Sequence, residues 1–282
     1  MTNKISVIVT CYNHGQYIEQ CLRSIFSQTY QTIDLLVIND GSNDNSDAVI
    51  TSVLQDSPFE QTDYIIQENS GICVTRNRGL DWLSDDSGFV LFVDSDNYLD
   101  GDYIERLLAV ATREAADIVY ANLVDVETGT IVTKARAYDF EAHLKGNFID
   151  NCSLIRIAKI GNARYDLALN RKKLVDYDFF LNLIINNDAK PYPAADVNLN
   201  YRVLENSISD RSGDVSRYFD AYVYMMLKYA GVIPDAVHHT LKNTLTEYYD
   251  LMESRLKAIL EKDKHIRNFQ ANDSYQEDLI AS

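Results

Sequence analysis

The sequence predicts an α/β fold: a mostly parallel central sheet with flanking helices, followed by an all-helical C-terminal extension. Three observations predict it. Short, β-favouring apolar runs alternate with segments of helical spacing, as βαβ units require. One of those runs, Phe89-Val-Leu-Phe-Val93, is apolar throughout, as a strand buried on both faces must be, and it leads directly into Asp94-Ser95-Asp96-Asn97. Beyond Gly213 the strand pattern stops and only helical periodicity remains. The expected organisation is therefore a domain over 1–213, in two halves (1–100 and 101–213), and a helical domain over 214–282.

Each element has its own signal. Ile5-Ser-Val-Ile-Val9 is a β-branched run closed by a polar loop, and Tyr17, Ile18, Cys21, Leu22, Ile25 and Phe26 then recur at helical spacing. Ile33 to Ile38 predicts a second strand, and the turn and cap residues Asn39 to Ser46 lead into a helix to about Leu54. Tyr64-Ile-Ile66 is a third, short strand. Asn69-Ser-Gly71 opens a helix to about Leu83, ahead of the strand that ends in Asp94. A helix over Asp102–Ala115, strands over Asp117–Val124 and Thr130–Arg136, and a helical turn or two over Phe140–Lys145 follow. Asp176 starts a helix carrying Phe179, Phe180, Leu183 and Ile184 on one stripe, and Val197–Leu204 is the last strand. Two amphipathic segments close the chain: Tyr218, Phe219, Tyr222, Met225, Met226 and Tyr229, then Leu241, Leu245, Tyr248, Met252, Leu256 and Ile259.

Charge and composition exclude some functions. With 46% hydrophobic residues in a chain of 282, a sizeable core is available. The formal net charge is -16, and the first 100 residues hold 4 Lys and Arg against 15 Asp and Glu, a field that repels a nucleic-acid backbone. An anionic nucleotide would need a metal and a few placed cations such as Arg76 and Arg78. The four cysteines lie far apart with no C-x-x-C pair, which predicts reduced thiols. No signal-like segment precedes the first strand and no apolar run approaches the roughly 20 residues of a membrane span. The expectation is a cytoplasmic protein with no transmembrane segment; peripheral association at the inner face of a membrane stays open.

Taken alone, Asp94-Ser95-Asp96 admits two readings. Strand alternation puts Asp94 and Asp96 on one side with Ser95 facing away, and two carboxylates at a strand's carboxyl end suit a divalent cation carrying a phosphate-bearing ligand. Asp and Asn are also good turn formers, so a solvated turn is the alternative.

The ordered set of motifs goes further. Ser6-Val-Ile-Val-Thr-Cys-Tyr-Asn13, Gln28-Thr-Tyr30, Asn39-Asp-Gly-Ser42, Asn69-Ser-Gly71, Arg76-Asn-Arg-Gly79 and Asp94-Ser-Asp96 resemble, in order and spacing, family 2 glycosyltransferases of the GT-A (Rossmann-like) fold, of the bacterial polysaccharide or surface-glycoprotein type. The resemblance weakens after residue 100 and returns at Asp176-Tyr-Asp178 and Tyr201-Arg-Val-Leu-Glu-Asn-Ser-Ile208. It implies a UDP-sugar donor and a glycan or glycoprotein acceptor, with 1–100 as the nucleotide-binding half of the domain and 101–213 as its acceptor half. Thr10 and Tyr12, beside Asn13, match positions that hold the uracil and ribose. Asp40 matches the acid that accepts from uracil N3–H, although an Asx-turn would use the same residue. Arg76 is implied at the uracil or the diphosphate, Asp94 at the ribose with Ser95 beside it, and Asp96 as ligand to Mn²⁺ or Mg²⁺. Asp176 matches the final Asp of the family's Glu-Asp motif, which deprotonates the acceptor hydroxyl for an inverting displacement; a helix N-cap is compatible with the same position. Asp178, about 200° further round a helix, is not expected to share that task.

Three departures stand out. Asn39 and Val175 replace an Asp and the motif's Glu, and Leu204 stands where many relatives have a metal- or diphosphate-serving His. Asp96, the diphosphate and waters must then hold the ion, or another donor replaces the His, or activity is reduced. His143, His238 and His239 are read as ordinary surface or core histidines. Leu204 and Val175 also motivate an alternative, a catalytically weak nucleotide-binding or scaffold subunit. A haloacid-dehalogenase-like phosphatase lacks its expected nucleophile, Lys and paired acids here, and a pyrophosphorylase would need a basic Gly-rich first loop. The helical tail is expected to bind acceptor or to build a homo-oligomer.

Overall fold

The computed structural model describes residues 4–204 and 215–233, with scattered positions between 235 and 261. The second amphipathic segment of the tail, His238 and the stretch Glu205–Asp210 lie outside the described residues. Strands β1 (Ile5–Cys11), β2 (Ile33–Asn39), β3 (Gln61–Ile66) and β4 (Phe89–Asp94) alternate with helices α1 (Ile18–Phe26), α2 (Ser46–Val53) and α3 (Ile72–Trp82). After β5 (Tyr98–Leu99) come α4 (Tyr103–Arg113), β6 (Ile118–Asp125), β7 (Ile131–Thr133), α5 (Phe140–Lys145), β8 (Leu154–Arg156), α6 (Val175–Asn187), β9 (Pro191–Tyr201) and α7 (Val215–Tyr229).

The nine strands among the described residues form one sheet in the order β3-β2-β1-β4-β8-β6-β9-β5, with β7 on β6. The first four are parallel, as expected. The second half is mixed, because β8 runs antiparallel to both β4 and β6 while β9 runs parallel to β6. Chain direction through β1-β2-β3 moves one way across the sheet, and β4 returns to the other side of β1. That reversal puts the switch point of the sheet between β1 and β4, where open α/β sheets bind ligands.

Strand alternation divides the core into two layers. Val7, Val9, Leu91 and Val93 pack with α1 and α4 on one face. Ile8, Val90 and Phe92 pack with α3 and α6 on the other. This explains why β1 and β4 read as unbroken apolar runs: each side chain, whichever way it points, meets a helix. Helix α3 can approach only because Gly79 has no side chain, since a Cβ there would lie 2.8 Å from Ile8 Cγ2.

Three strand assignments differ from expectation. β5 and β8 are two and three residues long and carry no periodicity of their own. β9 starts at Pro191 rather than Val197 and ends at Tyr201 rather than Leu204. Proline is uncommon inside a sheet, but Lys190 O accepts from β6, so Pro191 and Pro193 turn their donor-less nitrogens to the side away from β6, which β5 reaches only at Leu199 and Asn200.

The chain divides into two compact units, Met1–Met225 and Met226–Ser282. The division falls inside α7, beyond the 213/214 boundary expected from the change of pattern. Tyr222 donates to Leu144 O at 2.7 Å and Tyr224 to Asp166 Oδ2 at 3.0 Å, which ties the start of α7 to the larger unit. Among the described residues no helix is long and apolar enough to cross a membrane.

Candidate active site

The carboxyl ends of β1, β2 and β4 are in register: Thr10 pairs with Asp94 and Cys11 with Asn39. Thr10 is buried at the strand end and Tyr12 is 43% exposed in the loop that follows. Asn13 takes a left-handed φ of 55° and is held from both sides, donating N–H to Ser42 Oγ at 2.9 Å and accepting from Asn43 N at 2.7 Å. Its neighbours His14 and Gly15 donate backbone N–H groups to Ser46 Oγ and Asp44 Oδ2. The loops after β1 and β2 are thus laced into one wall that leaves the Tyr12 ring free to stack.

Asp40 is buried, and its carboxylate already accepts three hydrogen bonds. Ser70 N and Gln67 Nε2 each reach Oδ1 at 2.8 Å, and Gly71 N reaches Oδ2 at 3.0 Å. A carboxylate has about four lone-pair positions, so one remains on Oδ2 for a ligand. Its internal task is to pin the turn that opens α3, where Gly71 caps the helix at φ 87°. Asn39 is likewise absorbed, accepting from Ser42 N and donating to the Tyr64 hydroxyl. A neutral amide serves both bonds, so the missing acid leaves the local fold intact.

β4 ends at Asp94, and Asn97 N closes a turn onto Asp94 O at 3.0 Å. The strand alternation used to pair Asp94 with Asp96 therefore stops at Asp94, and Asp96 sits in the turn. Ser95 does face away: it is 1% exposed, and its hydroxyl lies 2.8 Å from His14 Nδ1. Asp94 Oδ1 accepts from Arg76 Nη2 at 2.8 Å and Asn151 Nδ2 at 3.2 Å. Arg76 emerges from α3 nearly buried, beside the Tyr165 ring, with its Nε unpaired. Burial pulls its pKa down, but Asp94, Tyr165 and Asp176 outweigh that and hold it above the usual arginine value.

Asp96, in the turn after β4, is a carboxyl raised by its surroundings. Burial, then the charge of Asp94, pushes its carboxyl up to about 6, against the pull of His14 and Arg202. Arg202 lies over the rings of Tyr17 and Tyr98, at 4.7 and 5.8 Å, and donates its backbone N–H to Asn97 Oδ1. Among the described residues no cluster of three or more His, Cys, Asp or Glu forms a metal cage. The residues present fit a hard divalent cation that brings most of its own oxygen ligands, with Asp96 as the protein's contribution and its surplus negative charge as the attraction. His143 is not a substitute for the histidine missing at Leu204: it is fully buried, bonded on both ring nitrogens, and pushed down to about 4 by burial. His239 is exposed.

Across from the nucleotide side stands α6. Leu174, at a φ of 67°, takes the N-cap position, and Asp176 falls in the first turn; the cap expected at Asp176 is not there. Its Oδ2 accepts from Asn147 Nδ2 at 3.3 Å. Burial, then Asp94, raises its pKa, and Arg76 opposes them. Asp150 belongs to the same group, pushed up to about 7 by burial, Asp94 and Asp176 while its Oδ1 accepts from Cys152 N. Asp178 is fully buried. Sequence reasoning missed His14, Asn147, Asp150, Asn151, Tyr165 and Arg202. Asn147, Asp150, Asn151 and Tyr165 lie between Gly146 and Leu174, where neither periodicity nor motif marks them, whereas His14 adjoins one motif already in hand and Arg202 stands inside another, the one that begins at Tyr201.

The switch point of the sheet thus gathers the Arg76–Asp94 pair, with Asp96 in the turn after β4 and Tyr12 in the loop after β1. Residues 6–176 match the family model for Glycosyl transferase family 2, and the chain belongs to that family. Glycosyltransferase GlyA of Streptococcus pneumoniae serotype 4 is 40% identical over 124 residues, 43% of this chain and 17% of that protein. Glycosyltransferase GlyG of the same organism is 33% identical over 124 residues, 43% of this chain and 40% of that protein. The chain thus matches less than half the length of these relatives. Among solved structures, S. aureus TarS 1–349 in complex with UDP-GlcNAc superposes with a TM-score of 0.67 at 18% identity, over 81% of this chain and 67% of that one. Mannosyltransferase PcManGT from Pyrobaculum calidifontis, in complex with GDP-Man and Mn²⁺, gives 0.59 at 14% identity, over 87% and 76%. The GT-A expectation for the fold is met.

Proposed function

We propose that the protein is an inverting glycosyltransferase that moves a hexose or N-acetylhexosamine from a UDP-sugar to a hydroxyl of a glycan or glycoprotein. What carries this reading is the meeting of Thr10, Asp94 and Arg76 at the switch point with Asp176 within electrostatic reach. Tyr12 offers its ring to the uracil, the free lone pair of Asp40 accepts from uracil N3–H, and Asp94 Oδ2 accepts from a ribose hydroxyl, with Asn13 and Ser95 shaping the walls. The acceptance from N3–H favours uridine over adenine nucleotides. Arg76 meets the developing charge of the diphosphate. Asp96 would hold Mn²⁺ or Mg²⁺, which when bound neutralises that same charge. Asp176 takes the acceptor hydroxyl's proton as its oxygen bonds to the anomeric carbon; the bond from that carbon to the β-phosphate oxygen breaks, and UDP departs with the electron pair. The TarS complex with UDP-GlcNAc makes N-acetylhexosamine the first donor to try.

The test is UDP release from UDP-glucose, UDP-galactose and UDP-N-acetylglucosamine, with and without Mn²⁺ and with GDP-mannose as control. Release from one UDP-sugar, lost on chelation and in Asp176→Asn with added acceptor, is the expected result. Uridine-nucleotide binding with no turnover on any acceptor would favour the scaffold alternative. The cytoplasmic setting belongs to the same proposal, as does a role for the second unit in acceptor binding or self-association. Deleting 226–282 should reduce transfer or solution mass more than donor hydrolysis; unchanged transfer and mass would count against it.

A further inference from the structure

Asp176 is the end of a directed chain of hydrogen bonds that starts in an aromatic pocket. Ile149 N donates to Asn147 Oδ1 at 3.1 Å. A backbone N–H can only donate, so that amide atom must be the oxygen and the NH₂ must face Asp176, 3.3 Å away at Oδ2. The same Oδ1 lies 3.2 Å from His143 Nε2, which must then carry the imidazole proton. His143 Nδ1 is left as an acceptor, and Tyr138 OH stands 3.3 Å from it. Every link therefore has one polarity, from Tyr138 O–H through the neutral His143 and the Asn147 amide to the carboxylate.

The pocket makes that polarity permanent. His143 is fully buried, its ring centroid 5.0 Å from both Phe148 and Tyr177 and 5.5 Å from Tyr138. Burial, with Arg136 nearby, keeps its pKa near about 4, so the ring stays neutral wherever a base could work. Tyr177, next to Asp176 on α6, donates its hydroxyl to His143 O and fastens the pocket to the helix that bears the base.

We propose that Asn147 is the positioning residue of the acceptor-side base, held in one orientation by His143 and Ile149 so that its N–H aims the Asp176 carboxylate and favours its ionised form. The inference rests on the reading of Asp176 as that base. The other groups facing Asp176 are Arg76 from α3, Asp94 from the end of β4, and Asp150 and Tyr165 from the segment between α5 and α6. Asp94 and Asp150 are acids and Tyr165 stays un-ionised, while the backbone N–H groups of Tyr177 and Asp176 and the Arg76 charge favour the carboxylate; the Asn147 amide adds to these a side-chain N–H donor at 3.3 Å.

The experiment compares pH profiles of transfer for the wild type, Asn147→Ala, Asn147→Asp and Asp176→Asn in the full chain, with UDP affinity measured by calorimetry. Asn147→Asp keeps an oxygen for Ile149 N and His143 Nε2 and exchanges the NH₂ donor for a second carboxyl, whereas Asn147→Ala removes all three contacts; the melting temperature of each variant checks that both fold. Removing a hydrogen bond to a carboxylate should move the acid limb of kcat up by about one pH unit and lower kcat about tenfold below that limb. Asn147→Asp should move it further, because two carboxylates at that spacing hold a proton between them. UDP affinity should stay within about twofold in both, since Asn147 lies on the acceptor side. An acid limb that stays in place in both variants while Asp176→Asn abolishes transfer overturns the inference alone. If Asp176→Asn transfers normally, the base assignment fails and this inference falls with it.

Discussion

Arg76 Nη2 stands 2.8 Å from Asp94 Oδ1, joining the helix after the third strand to the end of the fourth. The guanidinium is 8% exposed and the carboxylate 29%, so the pair straddles the boundary between core and site. It holds a cation at the switch point of a chain whose first half is strongly acidic.

Asp94→Asn should therefore cost stability as well as activity. Removing one partner of a wholly buried pair costs about 3–5 kcal/mol. Here about 2 kcal/mol is expected, because Asp94 is partly solvated and Asp176 remains within reach of Arg76. Urea denaturation should show most of that loss recovered in the double variant Arg76→Met, Asp94→Asn. Additive losses in the double variant would mean that the two residues are not energetically coupled.

Asp96 carries the opposite signature, a group whose charge works against the free protein's stability. Its pKa is raised to about 6 by burial and Asp94, so between about pH 4 and 6 the folded state keeps a proton that the unfolded state has lost. Stability of the metal-free protein should fall as pH rises through that window. Asp96→Asn should flatten the fall and raise the melting temperature at pH 7.5 by roughly 2–4 °C, the equivalent of about 1 kcal/mol. Manganese should raise the melting temperature of the wild type and leave that of the variant unmoved; equal stabilisation of both would remove Asp96 from the metal site.

Asp150 should shift the base in the sense opposite to Asn147. With a pKa near about 7, it ionises across the working range and its charge raises that of Asp176. Neutralising it in Asp150→Asn should lower the acid limb of transfer by up to about one pH unit. Stability measured from pH 4 to 8 should also lose the decline that a raised carboxyl imposes as pH increases toward 7. A limb that moves upward would show that Asp150 assists Asp176 instead of crowding it.

The sequence by itself determined β1 to β4, the helices between them and the ordered motifs, because there the signal is local. A strand buried on both faces must be apolar at every position, and a helix laid on it must repeat at its own period. It also determined which side chains gather at the strand ends, since a parallel sheet brings the loops after β1, β2 and β4 to one edge. Tertiary structure alone decided what those side chains are left to do. Asp40 spends three of its acceptor positions on residues 67–71, Leu174 takes the cap that Asp176 could have filled, and the prolines of β9 are admitted by an open strand side. Asn147 and Asp150 reach the site from a segment with no period or motif to announce them, and Arg202, though it stands in a motif, has its place beside Asp96 set by folding. Their roles depend on burial and on charges brought close by folding, and neither quantity exists until the chain has closed around them.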